Sequence, residues 1–125
     1  MKNIKQLGIY MDHSHAFLME LKNGTILTNS VVSELSDHET EFNFYKGEKL
    51  VHKKEQYLQL SYYKKLCDII KKYKEVVLFG PTDAKNELLN LVKTDHLFDD
   101  IKIELINSDK MVENQMHTFV REYFK

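Results

Sequence analysis

The stretch from Val76 to Leu89 constrains the fold of this chain more than any other. It opens with four consecutive apolar residues, Val76–Phe79, and passes through Gly80–Asp83 into a helical pattern. A short apolar run that ends in turn residues is typical of a strand buried on both faces. The helical pattern has one apolar face, formed by Ala84, Leu88, Leu91 and Val92. We therefore predict a central strand followed by a helix that packs back on the sheet.

The turn between this strand and this helix is interpreted as structural. It consists of Gly80, Pro81 and Thr82, and either Thr82 or Asp83 can cap the helix. A helix N-terminus behind a central strand can also bind phosphate. Pro81, however, has no amide hydrogen to donate, and Asp83 places negative charge where the anion would lie. Because the Walker pattern Gly-x-x-x-x-Gly-Lys is missing as well, we expect no cofactor.

Two apolar runs near the N-terminus predict a pair of strands. Leu7–Met11 and Ala16–Leu21 flank the polar sequence Asp12–His15. Aspartate side chains commonly accept hydrogen bonds from the backbone of such turns. We interpret Asp12 as the residue that caps this turn.

An Asn-Gly pair then marks a hairpin. Asn23 and Gly24 follow the second apolar run, and both central residues of a type I′ turn need a positive φ angle. The third strand is predicted from Thr25 to about Leu35, with one solvated face or a bulge near Asn29. These three strands form a meander.

The periodic pattern is lost from Ser36 to Lys54. A connection of this length inside a small domain is usually functional or mobile. Phe42 and Phe44 suggest a second interpretation, a short extra strand packed on the core. Both interpretations stay open at this point.

Two more helices and one strand complete the pattern. An amphipathic helix is predicted from about Lys54 to Tyr73, and Ile101–Leu105 alternates like a half-exposed strand. In the loop before that strand, Leu97 and Phe98 are expected to pack inward. The last helix is predicted to begin after Asp109. Its apolar stripe consists of Val112, Met116, Phe119, Val120 and Tyr123.

The predicted element order is thus βββαβαβα. Short connections and right-handed crossovers are strongly preferred. They favour an α/β fold with a five-stranded mixed sheet in the order 3-2-1-4-5 and helices on its faces, as in ribonuclease H-like proteins. We expect residues 1–125 to form a single domain, because 125 residues build one core and are too few for two.

Composition narrows the setting. No apolar run approaches the roughly 18 residues of a membrane span, and the first residues lack the apolar block of a signal peptide. We therefore expect a cytoplasmic protein that does not bind membranes. Cys67 is the only cysteine, so the chain forms no internal disulfide, and its place on an apolar helix face predicts a buried thiol.

Charge is unevenly distributed along the chain. The segment from Lys46 to Lys74 contains nine lysines and three acidic residues, a net charge of +6 in a chain of net charge −1. Such a segment is either a solvated helix face or a surface that binds a polyanion. Lysines interleaved with aromatic residues suit RNA. The residues of this RNA-binding hypothesis are Lys46, Lys49, His52, Lys53, Lys54, Tyr57, Lys64 and Lys65.

Three blocks of sequence together resemble a known family. Gly8–Ala16, Leu78–Leu88 and Ser108–Met116 resemble small bacterial proteins related to the middle domain of archaeal and eukaryotic class 1 release factors and of pelota, the factor that rescues stalled ribosomes. The resemblance implies the ribonuclease H-like fold, a role in translation, and the ribosome, tRNA or a translation factor as partner.

One hallmark of the release factors is missing from this chain. Their connection after the third strand carries a Gly-Gly-Gln tripeptide that helps water to cleave peptidyl-tRNA. The corresponding residues 37–56 contain one glycine, Gly47, and one glutamine, Gln56. Pelota proteins lack the tripeptide too and act by occupying the ribosome. The resemblance therefore implies a binding domain without catalysis.

An enzyme is the first alternative. Asp12, His13 and His15 form a polar cluster that a hydrolase or nuclease could use, although no further carboxylates converge on it in the pattern. The same two histidines are weak candidates for zinc ligands together with His38 or His52.

A protein-binding module is the second alternative. In this interpretation, Phe42, Phe44 and Tyr45 are exposed and dock a protein partner or build a homodimer. The preferred prediction remains a non-catalytic domain that binds the ribosome or structured RNA through the 37–56 connection and its lysines.

Overall fold

Five strands form one mixed sheet in the order β3-β2-β1-β4-β5. The computed structural model describes residues 5–33 and 48–125, and within the second range it describes side chains from residue 56 onward. The strands are β1 (Gln6–Met11), β2 (His15–Lys22), β3 (Thr25–Val32), β4 (Glu75–Gly80) and β5 (Lys102–Asn107). Strands β1, β2 and β3 form an antiparallel meander, and β4 pairs in parallel with both β1 and β5. The predicted fold class and strand order are confirmed.

In the described part of the chain, three helices cover the sheet. They are α1 (Glu48–Ile70), α2 (Ala84–Lys93) and α3 (Glu113–Tyr123), and a 3₁₀ turn, His96–Phe98, follows α2. Helices α1 and α2 pack on one face, where Leu66 and Leu88 join the sheet residues Ile9 and Leu78 in one core. None of the helices in the described ranges is long and apolar enough to cross a membrane.

Helix α3 covers the opposite face of the sheet. Met116 and Val120 of this helix pack there on Tyr10, Val77 and Phe79. Residues 76–79 of β4 contribute to both cores and are at most 2% exposed. The prediction of a central strand buried on both faces is therefore confirmed.

Glycine at position 8 allows α3 to approach the sheet closely. A Cβ atom on Gly8 of β1 would lie 2.4 Å from Cγ2 of Val120, well inside van der Waals contact. The absence of a side chain at this position therefore sets the distance between α3 and the central strands.

The β2–β3 hairpin forms as predicted. Asn23 and Gly24 have φ angles of 53° and 79°, as the tight turn requires. The β2–β3 register runs without interruption from His15 opposite Val32 to Lys22 opposite Thr25. The suggested bulge near Asn29 is therefore wrong. The alternative, a strand with one solvated face, is wrong as well, because exposed residues lie on both faces of β3. Strand β3 ends at Val32, before the predicted end at Leu35.

Several predicted boundaries differ from the structure. Helix α1 begins at Glu48, whereas the sequence pattern predicted a loop up to Lys54. Residues 48–54 are mostly good helix formers, so they extend the helix although they show no apolar stripe. Helix α1 also ends at Ile70 and not at Tyr73. Phe42 and Phe44 lie outside the described residues.

Two apolar side chains are less buried than predicted. Phe98 packs in the core with 5% exposure, but Leu97 is 70% exposed because the short 3₁₀ turn directs only one of the two side chains inward. Val112 is 66% exposed because it precedes α3, which begins at Glu113. The backbone amide of Val112 donates instead to Oε1 of Gln115 at 2.9 Å.

Candidate nucleic-acid interface

Helix α1 has two sides of opposite character. Its inner side packs on the sheet through six buried residues: Leu58, Tyr62, Tyr63, Leu66, Cys67 and Ile70. The predicted burial of Cys67 is confirmed. Burial, with the negative charge of Asp68 nearby, raises the pKa of the Cys67 thiol to about 11, so it stays protonated at neutral pH.

The outer side of α1 is basic and carries one prominent aromatic ring. Tyr57 is 63% exposed, and Lys64 and Lys65 are exposed as well. From residue 56 to its end at Ile70, α1 contains two lysines, Lys64 and Lys65, and one acidic residue, Asp68. We name Tyr57, Lys64 and Lys65 the outer patch of α1. It combines positive charge with a ring on which a base can stack.

One lysine near this patch is already engaged within the protein. Nζ of Lys71 lies 3.7 Å from the carboxylate of Asp68 and 5.8 Å from the centre of the Phe98 ring. The ion pair joins Lys71 to a residue of α1, and the cation–π contact joins it to the 3₁₀ turn. Lys71 therefore does not belong to the outer patch.

The remaining residues of the RNA-binding hypothesis precede the outer patch in sequence. Lys49, His52, Lys53 and Lys54 lie in the first two turns of α1, so their predicted place in a loop is wrong. A spacing of four residues puts positions 49 and 53 on the same side of the helix as Tyr57. Lys46 and the side chains of these four residues lie outside the described part of the chain.

The Gly80–Thr82 turn after β4 requires glycine at its first position. Gly80 has a φ angle of 150°, and a Cβ atom there would lie 2.4 Å from the carbonyl oxygen of Met11, so only glycine fits. Oγ1 of Thr82 accepts a hydrogen bond from the amide of Ala84 at 3.3 Å. Asp83 occupies the N-cap position, but its side chain makes no capping hydrogen bond.

Lys85 is a buried cation that sequence reasoning missed. It is 1% exposed, and its Nζ donates to the carbonyl oxygen of Thr82 at 2.6 Å. A lysine in the first turn of a helix normally reaches solvent, and nothing in the local sequence distinguishes this one. This hydrogen bond connects the Gly80–Thr82 turn to the first turn of α2.

Asp12 caps the β1–β2 turn, as predicted. Its Oδ1 accepts from the amides of Ser14 and His15 at 2.8 and 2.7 Å. Burial by itself would raise the pKa of Asp12, but the hydrogen bonds from these two amides, the nearby His15 and the hydroxyl of Ser14 together lower it. The carboxylate is therefore ionised and engaged as a structural acceptor.

Two side chains of helix α1 donate hydrogen bonds to the backbone of this turn. The hydroxyl of Tyr62 donates to the carbonyl oxygen of Asp12 at 2.9 Å, and the side-chain amide of Gln59 donates to the carbonyl oxygen of His13 at 3.0 Å. Neither residue was predicted to have this role. Tyr62 lies four residues after Leu58 and four before Leu66, which is the only sequence signal for its burial.

The two histidines of the turn have different partners. Nε2 of His13 lies 3.4 Å from Glu87, whose other carboxylate oxygen accepts from the hydroxyl of Tyr63 at 2.5 Å. Nδ1 of His15 lies 2.9 Å from Oγ of Ser14. Burial and the bond to Glu87 raise the pKa of Tyr63.

These contacts do not assemble a metal site among the described residues. No group of three or more histidine, cysteine, aspartate or glutamate side chains within them is placed to hold a metal ion. His38 and the side chain of His52, the suggested third ligands, lie outside this part of the chain. The zinc hypothesis for His13 and His15 therefore stays a prediction.

Comparisons with known proteins relate this fold to solved structures of Pelota. No protein-family model matches the chain, and no curated protein sequence matches it. The structure of Pelota from Archaeoglobus fulgidus is similar with a TM-score of 0.62 and 9% identity over 97% of this chain. Pelota from Thermoplasma acidophilum gives a TM-score of 0.63 and 14% identity over 94%. An archaeal translation termination factor, aRF1, has a TM-score of 0.46 and 15% identity. The matched region covers 96% of this chain and 39% of the aRF1 chain.

The chain therefore has the fold of one part of Pelota. It spans about a third of each Pelota chain, since the matched region is 32% of that protein in both structures. This similarity confirms the predicted resemblance at the level of the fold. At such low identity it does not transfer an activity or a partner.

Proposed function

We propose that this chain is a non-catalytic, translation-associated domain that binds the ribosome or structured RNA through the outer side of α1. The observation that carries the proposal is the Pelota-like fold over 94% to 97% of the chain. Stalled-ribosome rescue by occupancy requires a surface that binds RNA and no catalytic group. We expect residues 1–125 to form a single domain that acts in the cytoplasm.

The charge of α1 supports this choice of surface. RNA affinity comes largely from lysines and arginines that neutralise phosphates. The outer patch provides Lys64 and Lys65, and the preceding turns of the same helix provide Lys49 and Lys53. In a chain of net charge −1, α1 contains five lysines and three acidic residues, a net charge of +2, which favours this helix as the surface for a polyanion.

The contacts of the polar cluster support a role without catalysis. The carboxylate of Asp12 is engaged by two backbone amides, and that of Glu87 is shared by Tyr63 and His13. A general base needs a carboxylate within hydrogen-bond reach of the substrate proton that it removes. Residues 37–56 also lack the Gly-Gly-Gln tripeptide on which release factors rely.

The proposal can be tested by sedimentation of cell lysate through a sucrose gradient at low salt. The wild-type protein is expected to migrate with ribosomal particles. The double variant Lys64→Glu/Lys65→Glu should shift to the top of the gradient, because it reverses both charges of the outer patch.

A matched control removes the effect of net charge. Lys93→Glu/Lys110→Glu changes the total charge equally at exposed positions on α2 and before α3. This control should stay with the ribosomal particles. Wild-type protein at the top of the gradient in both growing and stalled cells, or equal loss of binding by both variants, would contradict the proposal.

A further inference from the structure

Among the residues that the structure describes, strand β3 is an edge strand without the usual protection. Within the described residues it pairs only with β2. Its sequence from Thr25 to Val32 contains no charged residue and no proline. Natural edge strands usually carry charges, prolines or bulges that prevent pairing with another chain. The opposite edge strand, β5, follows this rule with Lys102 and Glu104.

The hydrogen-bonding pattern identifies which backbone groups of β3 face outward. The amide of Ser33 donates to the carbonyl oxygen of Ser14 at 2.7 Å. Ser14 and Ser33 are the next opposed residues after His15 and Val32, which face each other in the ladder. This bond makes His15 and Val32 a non-hydrogen-bonded pair, so the amide and carbonyl groups of Val32 point away from β2. Strand alternation extends this property to three more residues: Ile26, Thr28 and Ser30.

These outward groups are suited to antiparallel pairing with an identical strand. A two-fold axis perpendicular to the sheet keeps each side chain on its own face, so outward residues must pair with outward residues. If the axis passes through Asn29, the opposed pairs are Ile26 with Val32, Leu27 with Val31, and Thr28 with Ser30. Apolar residues then meet apolar residues, and polar residues meet polar ones.

Neighbouring registers lack this match. An axis through Thr28 would place Leu27 opposite Asn29 and Ile26 opposite Ser30. An axis through Ser30 would place Asn29 opposite Val31. Cross-strand pairs stabilise a sheet when the opposed side chains are of compatible type, so the register centred on Asn29 is favoured.

Side-chain exposure supports the same arrangement. Leu27 is 50% exposed and Val32 is 42% exposed, two of the few large apolar side chains on the described surface. In the register centred on Asn29, each packs against an apolar residue of the second strand. We propose that β3 pairs with β3 of a second copy of this chain, so that two five-stranded sheets join into one continuous sheet around Asn29.

The register can be tested with charges on the two-fold axis. Asn29 is exposed and would face its own copy in a non-hydrogen-bonded pair, where Cα atoms are only about 4.5 Å apart. Asn29→Glu and Asn29→Lys each place like charges opposite each other. We expect each variant alone to raise the dimer dissociation constant by roughly fivefold or more at low salt. An equimolar mixture should recover the dimer, because glutamate then faces lysine.

Light scattering after size exclusion measures the mass of nuclease-treated, reduced protein over a dilution series. The wild type should give twice the chain mass of 14.9 kDa. Asn90→Glu and Asn90→Lys, at an exposed position on α2, serve as controls and should remain dimeric. The proposal is overturned if the wild type is monomeric, if either charged variant at position 29 dimerises like the wild type, or if the mixture stays monomeric.

Discussion

The two faces of the sheet are covered by different kinds of packing. Under α1 and α2, sixteen buried residues among those described form one mainly aliphatic cluster, whereas six form the cluster under α3. The α3 face is aromatic: Phe79 stacks on Phe119 with ring centres 4.2 Å apart, and Tyr10 meets Phe79 edge-on at 5.5 Å. Stability of the larger core depends on aliphatic side chains that fill its volume. Stability of the smaller core depends on the close approach of α3 and on the stacking of its aromatic rings.

This difference also explains where the candidate interface lies. A helix that contributes many buried residues to the larger core stays packed on the sheet while its opposite side remains exposed. Helix α1 spans 23 residues, compared with 11 for α3, and its inner residues also hold the β1–β2 turn.

The largest expected effect is a cavity on the α1 face. Leu66→Ala should lower the free energy of unfolding by about 2–5 kcal/mol, because Leu66 is fully buried among tightly packed neighbours. Met116→Ala on α3 should cost less, since its partly exposed neighbours can close the space. Urea denaturation measures both values. An equal or larger loss for Met116→Ala would contradict the ranking of the two faces.

The close approach of α3 provides the second test. Gly8→Ala should cost about 1–3 kcal/mol, because the new Cβ atom would lie 2.4 Å from Val120. Adding Val120→Ala removes the clash, so the double variant should lose less stability than the sum of the two single variants. Thermal unfolding of the four proteins gives the coupling, and strict additivity would contradict the steric explanation.

Single hydrogen bonds should have smaller effects. Tyr62→Phe removes the donor to the Asp12 carbonyl group and should cost about 1 kcal/mol. Tyr10→Phe on the α3 face removes the acceptor for the amide of Met111. We expect the smaller loss there, because Tyr10 is 8% exposed against 1% for Tyr62, and water can better replace the bond. The same denaturation experiment compares the two variants.

The pH dependence of stability tests the cap of the β1–β2 turn. The folded-state pKa of Asp12 is lowered below its ordinary value of 3.8. Its contribution is therefore present above pH 3.8 and is lost as the pH falls through the folded-state pKa. Relative to Asp12→Asn, the wild type should lose stability in this acid range. Asp100→Asn, in an exposed loop, should follow the wild type, and parallel pH profiles for wild type and Asp12→Asn would contradict the role of the cap.

Local sequence patterns were sufficient for the elements and their order. The four apolar residues of β4, the Asn23-Gly24 turn and the stripe of α2 each express a preference that neighbouring residues reinforce. The start of α1 was missed because helix propensity, and not an apolar stripe, extends the helix to Glu48. Amphipathic periodicity detects only the packed part of a helix.

The site was less predictable because tertiary contacts define it. Glu87 is 24 residues from Tyr63 and 74 from His13, and no local pattern joins them. The burial of Lys85 likewise depends on how α2 meets the turn before it. The exposed positions of Lys64 and Lys65, by contrast, follow from their place opposite the apolar stripe of the same helix.

The most direct test of the central claim, that the outer side of α1 binds RNA, is the salt dependence of affinity for purified ribosomes. Each phosphate contact contributes roughly −0.7 to −0.9 to the slope of log affinity against log salt. Lys64→Ala/Lys65→Ala should therefore make the slope shallower by about 1.4 to 1.8. Lys93→Ala/Lys110→Ala should leave it unchanged. An unchanged slope in the α1 variant, or a wild-type affinity that does not depend on salt, would contradict the account.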